Sequence, residues 1–366
     1  MRYFTDYSSN SAAAAGNQSF FEPCDAAETL VSRAFFKISA GGRYNYSLLF
    51  SNITDSTFAD GSHSRCNMAL GEWYIDSLRV AACDSCNIEA MPSEEEFATD
   101  FVTLTFDGCK CKNVKSGEFF CTDAAELEFS AGQYMCVEIT YRGSRIPCHP
   151  ETLLPVFTKR GCEWVYDVNM PLPCMIGCDR PVKKRIAFLG DSITQGCGTP
   201  KNEYLNYAAL AAKPFESDYA CWNLGIGYAR GADAATDGAW LYKAKQNDVV
   251  TVCFGVNDIF KVADAERTKA DLTKTVGILR DNGVKVILQT VPPFDYCEHD
   301  AAIWRDINEY IHSVLKNEAD GFLDTSEFLS NPQATEMTLY GGHPNPEGCA
   351  VWAQRLIPVI ENVLNK

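Results

Sequence analysis

Arg185-Ile-Ala-Phe-Leu-Gly190-Asp-Ser192-Ile-Thr-Gln-Gly196 is the stretch from which the rest of the chain is read. Its apolar opening, Arg185 to Leu189, is what a strand covered on both faces requires. A turn into a helix follows at once. A serine at such a turn is held out from the sheet, and the free N–H groups of the helix start lie behind it. The plainer use of Asp191 or Ser192 is to cap that helix. Two similar runs follow, at 248–254 and 285–291. Between them Leu272, Val276 and Leu279 share one face of a helix over 263–280, which Asn282-Gly283 ends. Ile303, Ile307, Ile311 and Leu315 stripe a second helix over 302–316, and a third starts at Pro346 and runs to 364. Strand–helix alternation predicts a parallel sheet with helices on both faces over 185–366.

In such sheets, ligands bind beyond the C-terminal ends of the strands. Three more segments fall at these junctions. Asn223-Leu-Gly225-Ile-Gly227-Tyr228 has glycines that let the backbone approach a ligand closely. Gly255-Val256-Asn257-Asp258 offers an amide that can donate into a site, although Asn and Asp at a strand end often only close an Asx turn. Gly342-His343-Pro344-Asn345-Pro346-Glu347-Gly348 sets a histidine in a rigid turn before the last helix. The other four histidines, 63, 149, 299 and 312, lie in loops, after the β-like region or within a helix, and carry no such signal.

Taken in order, Ser192 in GDSITQG, Gly225 and Gly227 in NLGIG, Asn257 in GVND and His343 in GHPNPEG resemble the SGNH (GDSL) hydrolase family over about 184–366. The resemblance implies a flavodoxin-like three-layer α/β/α fold and ester hydrolysis through an acyl-enzyme. A serine hydroxyl is a poor nucleophile at neutral pH and needs an adjacent base. His343 would take the Ser192 proton and return it to the leaving alcohol. The oxyanion would be held by the Ser192 N–H, a backbone N–H of the Gly227–Tyr228 turn and the Asn257 amide. Asp191, Gly225 and Asp258 would support these groups. Neither a metal nor an organic cofactor is required.

Two positions depart from the family pattern. The family usually has Asp three residues before the histidine; here that position is Tyr340. Either a backbone carbonyl orients the ring, or Glu336 reaches in, or turnover is slow, since losing the carboxylate of such a triad typically costs ~10⁴ in rate. Tyr228 stands where related sequences place an oxyanion glycine. Its N–H serves as well as any other, but its ring would narrow the acyl site and favour a group as small as acetyl. A sugar or oligosaccharide ester is the expected substrate. Lysophospholipid or thioester hydrolysis on longer acyl chains is the alternative, as is a degenerate hydrolase that only binds carbohydrate.

Upstream, strand-forming stretches at 33–39, 45–51, 73–81, 101–106, 125–129 and 134–141 are separated by Gly and Asp turns. They predict an all-β sandwich over 29–170. This region also resembles the jelly-roll-like domain carried by some bacterial members, on Phe50-Ser51-Asn52 and Val102-Thr-Leu-Thr-Phe106. Residues 1–28 are small, polar and unpatterned, which predicts a poorly ordered start. The prolines at 171, 173 and 181 predict a linker over 171–184 with neither helix nor central strand.

The chain has 366 residues and a formal net charge of −16, which argues against nucleic acid or an anionic membrane surface as partner. Met1 to Ser19 has no apolar block longer than Ala12 to Ala15, whereas a secretion signal has ~7–15 apolar residues. The expectation is therefore a cytoplasmic protein whose 17 cysteines are reduced. Cys83, Cys86, Cys109 and Cys111 have spacings that could hold zinc, although the second pair is tight for a common ribbon. Oligomeric state leaves no mark in the sequence.

Overall fold

A computed structural model describes residues 6–58, 66–332 and 337–366. In the C-terminal half, five parallel strands lie in the order Ala220–Asn223, Arg185–Gly190, Val249–Cys253, Lys285–Gln289 and Gly321–Leu323. Val249–Cys253 is buried along its whole length, as its unbroken apolar run requires. Helix Tyr207–Ala212 packs against Pro346–Leu364, and Ala265–Asp281 packs against both Gly231–Ala235 and Glu298–Ser313. The expected helices are present. The second starts at Glu298 rather than 302, with Glu298 and Asp300 in its first turn, and Leu315 belongs to the tighter turn Leu315–Glu318 that follows it. Strands Ala220–Asn223 and Gly321–Leu323 were not foreseen. At four and three residues they are too short to carry a pattern.

The N-terminal half holds two larger antiparallel sheets. One runs Ser8–Ser9, Met175–Cys178, Gly42–Ser51, Phe119–Cys121, with Ala125–Phe129 also on Gly42–Ser51. The other runs Glu163–Tyr166, Val156–Arg160, Leu30–Lys37, Tyr134–Gly143, Trp73–Cys83, Val102–Leu104, with Lys112–Val114 also on Trp73–Cys83. Leu48, Phe50, Ile75, Leu78, Val137 and Ile139 meet in one core.

Two expectations fail here. Residues 7–20 are not a loose start: nearly all are buried. Asn10 Nδ2 donates to Tyr46 Oη and to the Ala40 carbonyl, both at 2.9 Å, and Asn17 Nδ2 donates to the Ile53 carbonyl at 3.0 Å. The segment runs along the seam between the halves. Its amide side chains satisfy backbone groups there, a task that leaves no hydrophobic period. A Cβ on Gly16 would stand 2.9 Å from Ile226 Cδ1. Nor is 171–184 a free linker. The proline-free Met175–Cys178 inside it is a strand between Ser8–Ser9 and Gly42–Ser51.

Polar groups join the halves. Lys243 and Asp55 form an ion pair with side chains 1% and 0% exposed. Thr57 Oγ1 donates to Asp233 Oδ1 at 2.6 Å, Ser56 Oγ donates to the Gly227 carbonyl at 2.6 Å, and Trp222 Nε1 donates to the Cys174 carbonyl at 2.9 Å. All 17 cysteines are free thiols. Cys83, Cys86, Cys109 and Cys111 do not assemble, and no group of three or more potential ligands among the described residues is arranged to hold a metal. No helix among those residues is long and apolar enough to cross a membrane.

Candidate active site

Ser192 opens the four-residue helix Ser192–Gln195 directly after strand Arg185–Gly190. Asp191 caps it by accepting from the Ile193 N–H at 3.0 Å. Burial raises the Asp191 carboxyl to about 7. It holds the turn and does not line the cleft. Gly196 closes the helix at φ 118°, a conformation L side chains rarely adopt.

His343 arrives from the other end of the domain. Asn345 caps the last helix through the Gly348 N–H at 2.9 Å, and Pro346 takes its first position. The turn packs onto Gly198, where a Cβ would stand 2.8 Å from His343 Cβ. Ser192 Oγ and His343 Nε2 come to 2.9 Å, across 151 residues of chain. With Nε2 accepting from the hydroxyl, the imidazole proton sits on Nδ1. Among the described residues Nδ1 has no hydrogen-bond partner, and Tyr340 makes none with the ring. Glu336 lies outside the described residues, as does His63. Phe294 holds the ring edge-on instead, centroids 5.2 Å apart at 83°. Lost hydration lowers the His343 pKa below the ordinary histidine value of 6.5.

The oxyanion groups divide differently from expectation. The Gly227 N–H is occupied, donating to Gln195 Oε1 at 2.6 Å, so it does not face the reacting carbon. The Gln195 side chain, which the glycine pattern gives no hint of, takes it. The Tyr228 N–H, at φ 62°, has no partner among the described residues, nor has the Ser192 N–H. Asn257 Nδ2 donates to the Ala229 carbonyl at 3.0 Å, which leaves its second N–H, and Asn257 lines the cleft. Gly225 is needed for close approach, since a Cβ there would stand 2.1 Å from the Gln195 nitrogen. Asp258 accepts from the Gly231 N–H at 2.9 Å and is raised to about 7 by burial, so it anchors a neighbouring helix.

Ser192, Asn257, Tyr228 and His343 share a cleft of about 260 Å³ with Glu151, Cys197, Val256, Phe260 and Phe294. The last five were not singled out in the sequence. Phe294 follows strand Lys285–Gln289 and lay within reach of the strand-end rule. Glu151 comes from the β-rich half and had no such signal. Phe58, also from that half, meets the Tyr228 ring edge-on at 5.4 Å. His149 is fully buried and held neutral, its pKa lowered to about 4 by burial.

Residues 188–351 match the GDSL-like Lipase/Acylhydrolase family. No curated protein matches. Among solved structures, the chain is similar to a lipolytic protein of the G-D-S-L family from Desulfitobacterium hafniense, with 18% identity, TM-score 0.41, 48% of this chain and 98% of that one covered. It is similar to a family two carbohydrate esterase from Clostridium thermocellum solved with cellohexaose, with 13% identity, TM-score 0.41, and 95% and 94% covered. A family two carbohydrate esterase from Cellvibrio japonicus gives 16% identity, TM-score 0.38, and 98% and 97% covered. The C-terminal half of this chain, with a serine at the first strand end and a histidine before the last helix, is a GDSL-like lipase/acylhydrolase domain, and the protein is a hydrolase.

Proposed function

We propose that the protein is a serine esterase that removes a small acyl group, acetyl in particular, from a hydroxyl of a sugar or oligosaccharide. The 2.9 Å approach of Ser192 Oγ to His343 Nε2 carries this reading. In the reaction Ser192 Oγ attacks the ester carbon while its proton passes to Nε2. The oxyanion takes hydrogen bonds from the Ser192 and Tyr228 N–H groups and the Asn257 amide. The intermediate collapses, the leaving alcohol takes the proton from His343, and water releases the acid by the same steps. No carboxylate among the described residues backs the imidazolium, so Ser192 and His343 act as a dyad.

The small acyl group is supported by the cleft, whose 260 Å³ falls just below the roughly 300–1,000 Å³ usual for ligand pockets. The sugar is supported by the rings of Tyr228, Phe260 and Phe294 along it. We read 185–366 as a flavodoxin-like three-layer domain, on the strand order second, first, third, fourth, fifth. Residues 29–170 are read as a β-sandwich that residues 7–20 and 175–178 complete.

Labelling with a fluorophosphonate tests the chemistry: wild type reacts and Ser192→Ala does not. An unlabelled, folded wild type supports a carbohydrate-binding protein without turnover. Hydrolysis of p-nitrophenyl acetate faster than the octanoate is expected. The reverse order supports the long-chain lipase or thioesterase reading.

A further inference from the structure

We propose that Glu151, supplied by the β-rich half, is a specificity residue of the cleft whose carboxylate accepts a hydrogen bond from a free hydroxyl on the alcohol side of the ester. The inference rests on the esterase reading and names what that esterase selects. Glu151 is the one carboxylate among the described residues lining the cavity that holds Ser192 and His343. It stands against the oxyanion loop: a Cβ on Gly227 would lie 1.9 Å from Glu151 Oε2. Glycine at 227 therefore makes room for this carboxylate, not for the oxyanion.

The side chain is held in place. Gln18 Nε2 donates to Glu151 Oε2, and Gln18 Oε1 accepts from the Glu151 N–H at 3.0 Å. The Glu151 carbonyl accepts from Gln195 Nε2 at 2.8 Å, and Gln195 Oε1 accepts from the Gly227 N–H at 2.6 Å. One chain of bonds thus fixes Glu151 relative to Ser192. Its second oxygen, Oε1, has no partner among the described residues. Burial raises the Glu151 pKa, with the Gln18 bond opposing, and its charge raises that of the Tyr228 phenol.

A carboxylate only accepts hydrogen bonds, so it cannot help the oxyanion. It repels phosphate-bearing esters and thioesters, and it has nothing to offer an alkyl chain. A hydroxyl beside the scissile ester is the group it can use, and sugar monoesters carry several.

The test compares wild type and Glu151→Gln on a mono-O-acetylated glucose and on p-nitrophenyl acetate, whose leaving group has no free hydroxyl. The variant keeps the Glu151 backbone, and with it the Gln195 bond. The ratio of kcat/KM for the sugar ester over the aryl ester is expected to fall roughly fivefold or more, mainly through KM. A merely structural role lowers both substrates together, and an unchanged ratio in a folded variant overturns the proposal. Wild type that turns over the aryl ester through Ser192 but ignores the sugar ester overturns it too and leaves the esterase standing. Wild type without Ser192-dependent turnover of either ester overturns both.

Discussion

The two halves contribute to one cleft by opposite means. In the C-terminal half each group proposed to react stands at the end of a buried strand or the start of a helix: Ser192 after Arg185–Gly190, Asn257 after Val249–Cys253, His343 before Pro346–Leu364. Regular structure aims these side chains, so their geometry depends on the sheet. The β-rich half reaches the cleft with Glu151 and packs Phe58 against its Tyr228 ring, both outside its named strands. It is held by a polar seam, Asp55 to Lys243 and Thr57 to Asp233. On the proposed reading, one half does the chemistry and tolerates little change at a few atoms, while the other sets what the cleft accepts from a seam that carries buried charges.

Removing single groups should separate these roles. Ser192→Ala should lower kcat by ~10⁴-fold or more with the thermal midpoint nearly unchanged, measured by steady-state hydrolysis and calorimetry. Lys243→Met leaves Asp55 charged and buried without its partner. It should cost ~3–5 kcal/mol in denaturant unfolding. The double variant Lys243→Met, Asp55→Leu should recover part of that loss, and failure to recover any would show that the loss does not come from the unpaired carboxyl. Asn257→Ala removes one oxyanion donor and should cost ~10²–10³ in kcat with little change in KM. If kcat stays within a few-fold, the Ser192 and Tyr228 N–H groups suffice.

The smallest effect concerns pH. Lost hydration lowers the His343 pKa, and no carboxylate among the described residues raises it. The base must be neutral to accept the serine proton, so activity is present above its pKa and is lost as pH falls through it. The acidic limb of kcat/KM should therefore have its midpoint below 6.5, the ordinary histidine value. A midpoint above 6.5 would reveal an anion beside the ring, and Glu336→Gln would show whether that residue supplies it.

What could be read from sequence follows the same division. Ser192, Asn257 and His343 sit in short motifs at strand and helix junctions, and such junctions are written locally by glycine, proline and apolar runs. The parallel sheet was legible for that reason. The links between halves were not. Gln18 meets Glu151 across 133 residues and Asp55 meets Lys243 across 188, with no periodicity to announce either pair. The Gly227 N–H was misassigned because a glycine pattern does not say which side chain will claim the amide. Residues 7–20 were read as loose because burial there is achieved by asparagine, serine and alanine in a narrow seam, not by large apolar groups.

That same stretch sets an order on synthesis. Ser8–Ser9 waits for Met175–Cys178, and Gly16 waits for Ile226. At ribosomal rates of about 5–20 residues per second, Ser8–Ser9 and Gly16 stay without these partners for roughly ten to forty seconds after they are made. Its small polar residues suit that interval, since they offer little for a neighbouring nascent chain to stick to.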